Sequence, residues 1–358
     1  MARCNWCFIA VLPLAQLRRR KKVVLFIFLA SLAVYLTVLH SGASHFSDSW
    51  RVNLNMSFSN MTISDRPQIG LCMKKTFLFD PNGWTKFPLL LPQIEPNISC
   101  EERQLFMVVV VNSDANDIRH RDSRTAIRTT WGKPTSNTPL KWRLFFSLGS
   151  SPDVATAMNN NHEALLHNDI IIGNFNDSYK NIIIKTFMSH FWVFSRFHCK
   201  YVLKTDDDVY VRVPWVYNWL NNVTMPRRRF YGGLIEYVAN VFRTPGSKWY
   251  ITEEQYKGEH WPPFAHGSFQ VVSTDILPEY FNYTQFRMPF HADDAFFGVA
   301  ARDLGIKVTD IPGFCFVVGA EECDLKTATA ICHDISPTRI MSLHETYKSL
   351  KRSIEGYL

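Results

Sequence analysis

Acidic residues are absent from the first 22 positions, and net charge is nearly absent from everything after them. Arg3, Arg18, Arg19, Arg20, Lys21 and Lys22 supply six of the formal +7, so the rest of the chain carries +1. A basicity confined to one end excludes nucleic acid as a partner, because that needs a cationic face on the folded part. C-x-x-C spacing is missing among Cys72, Cys100, Cys199, Cys315, Cys323 and Cys332, which argues against a zinc site built from them. No internal repeat is present, which removes solenoids and propellers. The three adjacent acids Asp206, Asp207 and Asp208 lack the sixth-position glycine and twelfth-position glutamate of an EF-hand loop.

What is present after the basic cluster is an uncharged run, VVLFIFLASLAVYLTVL, from Val23 to Leu39. Its 17 residues lie at the lower end of what crosses a bilayer, and short spans suit the thinner membranes of the early secretory pathway. The positive-inside rule places residues 1–22 in the cytosol and everything after His40 in the lumen. A cleaved signal peptide ending at Ser41-Gly42-Ala43 is the alternative; the long basic stretch and the 17-residue core favour a retained anchor. Six N-x-Ser/Thr triplets, at Asn55, Asn60, Asn97, Asn176, Asn222 and Asn282, independently favour a glycosylated luminal protein. The expected organisation is a cytosolic tail (1–22), a transmembrane signal anchor (23–39), a Ser/Asn-rich stem (40–70) and a luminal catalytic domain (71–358). A Cys72–Cys100 bridge would pin the Pro-rich segment that opens that domain.

Within the domain, Gln104 to Asn112 carries the run FMVVVV, which lacks period-2 alternation and predicts a strand buried on both faces. A helix follows over Arg121–Trp131, with Arg124 and Arg128 one turn apart on one face. Strand (Trp142–Leu148), helix (Asp153–His167), strand (Asp169–Ile172) and long helix (Tyr179–Phe197) continue the alternation into YVLKTDDDVYV at Tyr201–Val211. This pattern predicts an α/β fold with a largely parallel sheet. Three acids at a strand end repel one another unless a cation compensates, and all-oxygen ligands favour Mg2+ or Mn2+ over zinc. A solvated acidic turn is the other reading. Farther on, Asp293 and Asp294 stand at the start of a predicted helix beside His291 and several aromatics, where one acid could cap the helix or act as a general base.

The combination of RTAIRTTWG (Arg124–Gly132), Asn176-Asp177-Ser178-Tyr179 through Lys185-Thr186, KYVLKTDDDVYV (Lys200–Val211), Lys248-Trp249, WPPFAHGSF (Trp261–Phe269), HADDAFFG (His291–Gly298) and CHDISP (Cys332–Pro337) resembles the beta-1,3-galactosyltransferase family of Golgi glycosyltransferases. That family also holds beta-1,3-N-acetylglucosaminyltransferases and, more distantly, the Fringe enzymes, and the resemblance spans about two thirds of the chain. It implies a GT-A fold with a Rossmann-like, mostly parallel mixed sheet, and an inverting transfer of galactose from UDP-galactose to the 3-hydroxyl of a terminal N-acetylhexosamine. It further implies Mn2+ as cofactor, a glycan acceptor on a glycoprotein or glycolipid, and a single-pass type II position in the Golgi membrane.

Carried over by motif, Asp208 is a direct metal ligand and His333 completes the metal site, with His344 the lesser candidate. Asp206 and Asp207 contact the nucleotide sugar or the metal shell. Arg128 and Lys185 line the donor side, Asp294 is the base, and Asp293 orients the acceptor. Trp131 is expected in the core. UDP-GlcNAc or UDP-GalNAc is the alternative donor, and a non-catalytic glycan-binding protein the alternative class. Two positions often held by a cysteine pair are Ala265 and Ala300 here, which leaves Cys199, Cys315, Cys323 and Cys332 to pair among themselves in one of three ways.

Overall fold

The computed structural model describes residues 87, 89–133, 142–222, 228–316, 323–332 and 334–355. The expected tail, anchor and stem, together with His333, lie outside the described residues. Among the described residues no helix is long and apolar enough to cross a membrane.

Strand β1 (Met107–Asn112) is buried along its whole length. Val108 and Val110 face one hydrophobic core, while Met107, Val109 and Val111 face another, as the period of two in a strand dictates. β4 (Tyr201–Asp206) divides in the same way, with Val202 on the first side and Tyr201 and Leu203 on the second. β1 pairs in parallel with β4 and with β2 (Trp142–Ser150), and β2 pairs in parallel with β3 (Ile170–Asn176). Parallel neighbours need crossover helices. These are α1 (Ile118–Thr129), α2 (Val154–His167) and α3 (Ile182–Arg196), the last entered through a 3-10 turn at Tyr179–Asn181 where one continuous helix was expected.

Beyond β4 the sheet becomes mixed. β7 (Phe264–Ser273) runs antiparallel to β4, β6 (Tyr231–Glu236) antiparallel to β7, and β8 (Val308–Asp310) parallel to β6, giving the order β3-β2-β1-β4-β7-β6-β8. The segment His266-Gly267-Ser268 is part of β7. A small second sheet joins β5 (Tyr210–Val211), β10 (Ala330–Cys332) and β9 (Phe314–Phe316). Helices α3, α5 (Leu277–Tyr283) and α6 (Asp293–Asp303) bury their apolar faces in the first core; α1, α4 (Val213–Asn221) and α7 (Pro337–Glu355) do so in the second, where Trp131 also packs.

The cysteines depart from the expectation that four would pair. Cys315 and Cys323 form a disulfide, but Cys199 lies in the first core and Cys332 in the second, and both remain buried thiols. Burial pushes the Cys332 thiol up to about 12, so it stays protonated. Cys100 is disulfide-bonded, and Cys72, its expected partner, lies outside the described residues. Ala265 and Ala300 are both fully buried in the first core, so close packing occupies the two positions. The approach of α6 to β7 depends on Gly298: a Cβ there would stand 2.4 Å from Phe264 Cβ and 3.0 Å from the Pro263 carbonyl oxygen.

Candidate active site

The parallel strands β1 and β4 end together, with Asp206 in register with Asn112, and the antiparallel β7 passes the same end with Phe269 opposite Thr205. This is where open α/β sheets gather ligands. Three groups converge there: the acids after β4, the Gly267–Ser268 stretch of β7, and the N-terminus of α6.

Lys204 joins them. It lies on the face of β4 that looks toward α3 and α6, and it is 1% exposed. Its ammonium meets Asp206 Oδ1 at 3.1 Å and Asp293 Oδ2 at 3.7 Å, and donates to the Gly267 carbonyl. Burial opposes its charge, but Asp206 and Asp293 outweigh burial and raise its pKa above the usual lysine value. Asp293 is buried and also accepts a hydrogen bond from Thr186 Oγ1 at 2.7 Å. It is therefore held inside the protein by two partners, Thr186 and Lys204.

Asp294 is the member of the pair that reaches the cleft, being only partly buried. Its Oδ1 accepts from the Ala295 N–H at 2.7 Å and its Oδ2 from the Gly267 N–H at 3.2 Å. A Cβ at residue 267 would stand 3.2 Å from Oδ2, so glycine leaves room for the carboxylate. Burial and the neighbouring Asp293 push the Asp294 carboxyl up to about 6, against the opposing pull of these N–H groups and Lys204. The helix cap is Ala292, which makes no side-chain capping bond, so neither acid is a cap.

Asp206 is pushed up to about 7, first by burial and then by Asp208 and Asp293, with Lys204 working against them. A carboxyl raised by its acidic neighbours in this way suits a divalent cation, and its oxygen chemistry suits a hard one. Asp208 is also tied to the chain after residue 333: the Asp334 N–H donates to Asp208 Oδ2 at 3.0 Å, and the Ile335 N–H to the Asp208 carbonyl at 3.1 Å. Among the described residues no group of three or more His, Cys, Asp or Glu side chains is gathered to hold a metal. His333, the expected third ligand, lies outside them. His344 contacts Tyr210, its Nδ1 lying 3.1 Å from the phenol oxygen.

Three other expected site residues have structural partners. Asp207 is buried, accepting from Ser113 Oγ at 2.6 Å and lying 2.9 Å from His120 Nδ1, so it braces β4 against the start of α1. Lys185, also buried, bonds Asp177 Oδ1 and the Ser113 carbonyl, both at 2.7 Å. Arg128 meets Asp169 and Glu163 at 2.7 Å each and covers the Phe146 ring. Asp169 immediately precedes β3, at the end of the sheet opposite the acids, so these contacts tie Arg128 to that end. Arg124, one turn earlier, shares Glu163 and reaches Ser113 Oγ at 2.8 Å, on the site's side of α1.

The mouth of the cleft is aromatic. Tyr179, 40% exposed, lies close enough that burial together with Asp294 and Asp293 raises its phenol pKa above the usual value. Lys248 lies over the rings of Tyr179 and Trp249, and its carbonyl meets His291 Nε2 at 2.9 Å. Trp249, 45% exposed, packs on the half-exposed Phe242 at 5.3 Å. The position of Lys204, a single charge inside an apolar strand, was the one sequence signal for a residue that motif reasoning passed over. His120, Thr186 and Tyr179 gave none as strong.

Strand ends, paired acids and exposed aromatic rings define an α/β protein with a polar site at the ends of its central strands. The galactosyltransferase family profile matches residues 122–312, more than half of the chain, and the chain belongs to that family. It is 31% identical over 264 residues to beta-1,3-galactosyltransferase 1 of Homo sapiens and of Mus musculus, covering 72% of this chain and 78% of theirs. It is 30% identical over 256 residues to beta-1,3-galactosyltransferase 5 of Pan paniscus, covering 69% and 82%. The resemblance carried by the motifs is thereby borne out.

Proposed function

We propose that the protein is an inverting glycosyltransferase that moves galactose from UDP-galactose, in β-1,3 linkage, to a terminal N-acetylhexosamine of a glycoprotein or glycolipid. The observation that carries this reading is Asp294: a carboxylate raised to about 6, partly open to the cleft and oriented by two backbone N–H groups. A base with that pKa is ionised at neutral pH yet far more basic than an ordinary aspartate. Asp294 takes the proton of the acceptor 3-hydroxyl as that oxygen bonds to the anomeric carbon, on the face opposite the departing UDP. Asp293, Thr186 and Lys204 fix the start of α6 so that Asp294 points at the hydroxyl.

Asp206, Asp208 and His333 would hold Mn2+, which when bound supplies Lewis-acid stabilisation of the diphosphate. Asp207 positions this run through Ser113 and His120, and Lys185 fixes the floor of the donor side through Asp177. Tyr179, Lys248 and Trp249 present ring faces and a cation on the acceptor side, where a pyranose can stack. The GT-A fold and a single-pass type II position in the Golgi membrane, through residues 23–39, complete the reading. The test is a donor panel: the full chain in detergent with Mn2+, each of UDP-galactose, UDP-GlcNAc and UDP-GalNAc, and simple N-acetylhexosamine acceptors. Galactose transfer that is lost on chelation is expected; transfer only from another donor, or turnover indifferent to chelator, would contradict it.

A further inference from the structure

The outer face of α2 is unusual for a surface helix. Val154, Met158, Leu165 and Leu166 are 72%, 67%, 82% and 66% exposed. The other exposed positions within the helix, Ala155, Asn159, Asn161, His162 and His167, add no acid, lysine or arginine. Exposed apolar stripes of this kind mark a surface that something covers.

A candidate cover is attached nearby. Segment 93–97 runs antiparallel to the edge strand β3, with Ile94 bridged to Ile172. At its end Asn97 is clamped to Asn168, the residue that terminates α2. The Asn97 N–H donates to Asn168 Oδ1 at 2.7 Å, and Asn168 Nδ2 donates to the Asn97 carbonyl at 2.9 Å. Both bonds use the backbone of Asn97, its residue is exposed, and it opens the triplet Asn97-Ile98-Ser99. Leu165 and Leu166 lie within one helical turn of Asn168. By contrast Asn282 lies in α5 and its Thr284 is wholly buried, donating to the Phe281 carbonyl, so that triplet is folded into the core.

We infer that Asn97 carries an N-linked glycan whose first sugars lie over Leu165 and Leu166 and cover the C-terminal half of the α2 stripe. In forming it, Asn97 Nδ2 bonds to C1 of an oligosaccharide as the bond from C1 to a lipid pyrophosphate breaks. The amide proton is lost, and the lipid pyrophosphate leaves. Pyranose rings carry apolar C–H faces, so they shield leucine side chains while presenting hydroxyls to water. The inference rests on the luminal position proposed above.

The test is glycopeptide mass spectrometry on the full chain made in a secretory eukaryotic cell, with Asn97→Gln and Ser99→Ala as two independent ways to remove the site. Occupancy at Asn97 is expected, and each variant should lose one endoglycosidase-sensitive mobility step and gain apolar-dye binding and self-association. Adding Leu165→Ser and Leu166→Ser to Asn97→Gln should reverse those gains. If every triplet is empty, the luminal reading itself falls. If others are filled and Asn97 is empty, or if the variants bind no more dye than wild type, the cover on α2 is overturned while the luminal reading stands.

Discussion

Lys204 is a cation with almost no water around it, bonded to a carboxylate from each of the two acidic motifs. Removing one partner of such a group leaves buried charge uncompensated, which typically costs about 3–5 kcal/mol. Lys204→Met should therefore lower stability by about that amount in urea denaturation and abolish transfer; wild-type stability would show that the lysine does not hold the site together. Arg128 makes the opposite prediction. Its guanidinium is taken up by Asp169 and Glu163, so Arg128→Ala should cost about 1–3 kcal/mol while leaving the donor KM unchanged. A raised donor KM with unaltered melting would restore the donor-side role. The acids were legible because adjacent aspartates occur in only two places in the sequence, Asp206–Asp208 and Asp293-Asp294. Their partners were not, because a lone lysine, threonine or histidine carries no local pattern that says which distant carboxylate it meets.

At the scale of elements, α6 places Asp294, and its fit against β7 is set by a single glycine. Gly298→Val should force Phe264 and Pro263 apart, cost about 1–3 kcal/mol, and reduce transfer along with stability, as read by thermal unfolding and product formation side by side. Loss of stability with full activity would mean that α6 can shift without moving Asp294. The β-branched run of β1 told its burial on both faces directly. By contrast the His266-Gly267 stretch of β7 has no strand propensity of its own; its pairing with β4 and β6 is a tertiary effect that overrides local propensity. The pairing of Cys315 with Cys323 was likewise outside sequence reach, since spacing alone does not say which cysteines share a core.

At the scale of the whole molecule, alternation of strand and helix was enough to expect a largely parallel sheet, and β3-β2-β1-β4 is that sheet. The antiparallel extension through β7 and β6 was foreshadowed only by the resemblance, which implies a mixed sheet, because the chain after Pro214 has no sustained period to read. Yet this extension supplies Gly267, whose N–H and carbonyl serve Asp294 and Lys204, so the site exists only where the two halves of the sheet meet. The central claim is that this junction separates holding the donor from activating the acceptor. The most direct test is Asp294→Asn, followed by calorimetric titration with UDP and Mn2+ and by turnover with UDP-galactose. The account predicts transfer reduced by about 10²-fold or more with UDP affinity close to wild type. Weakened UDP binding, or transfer that survives the substitution, would contradict it.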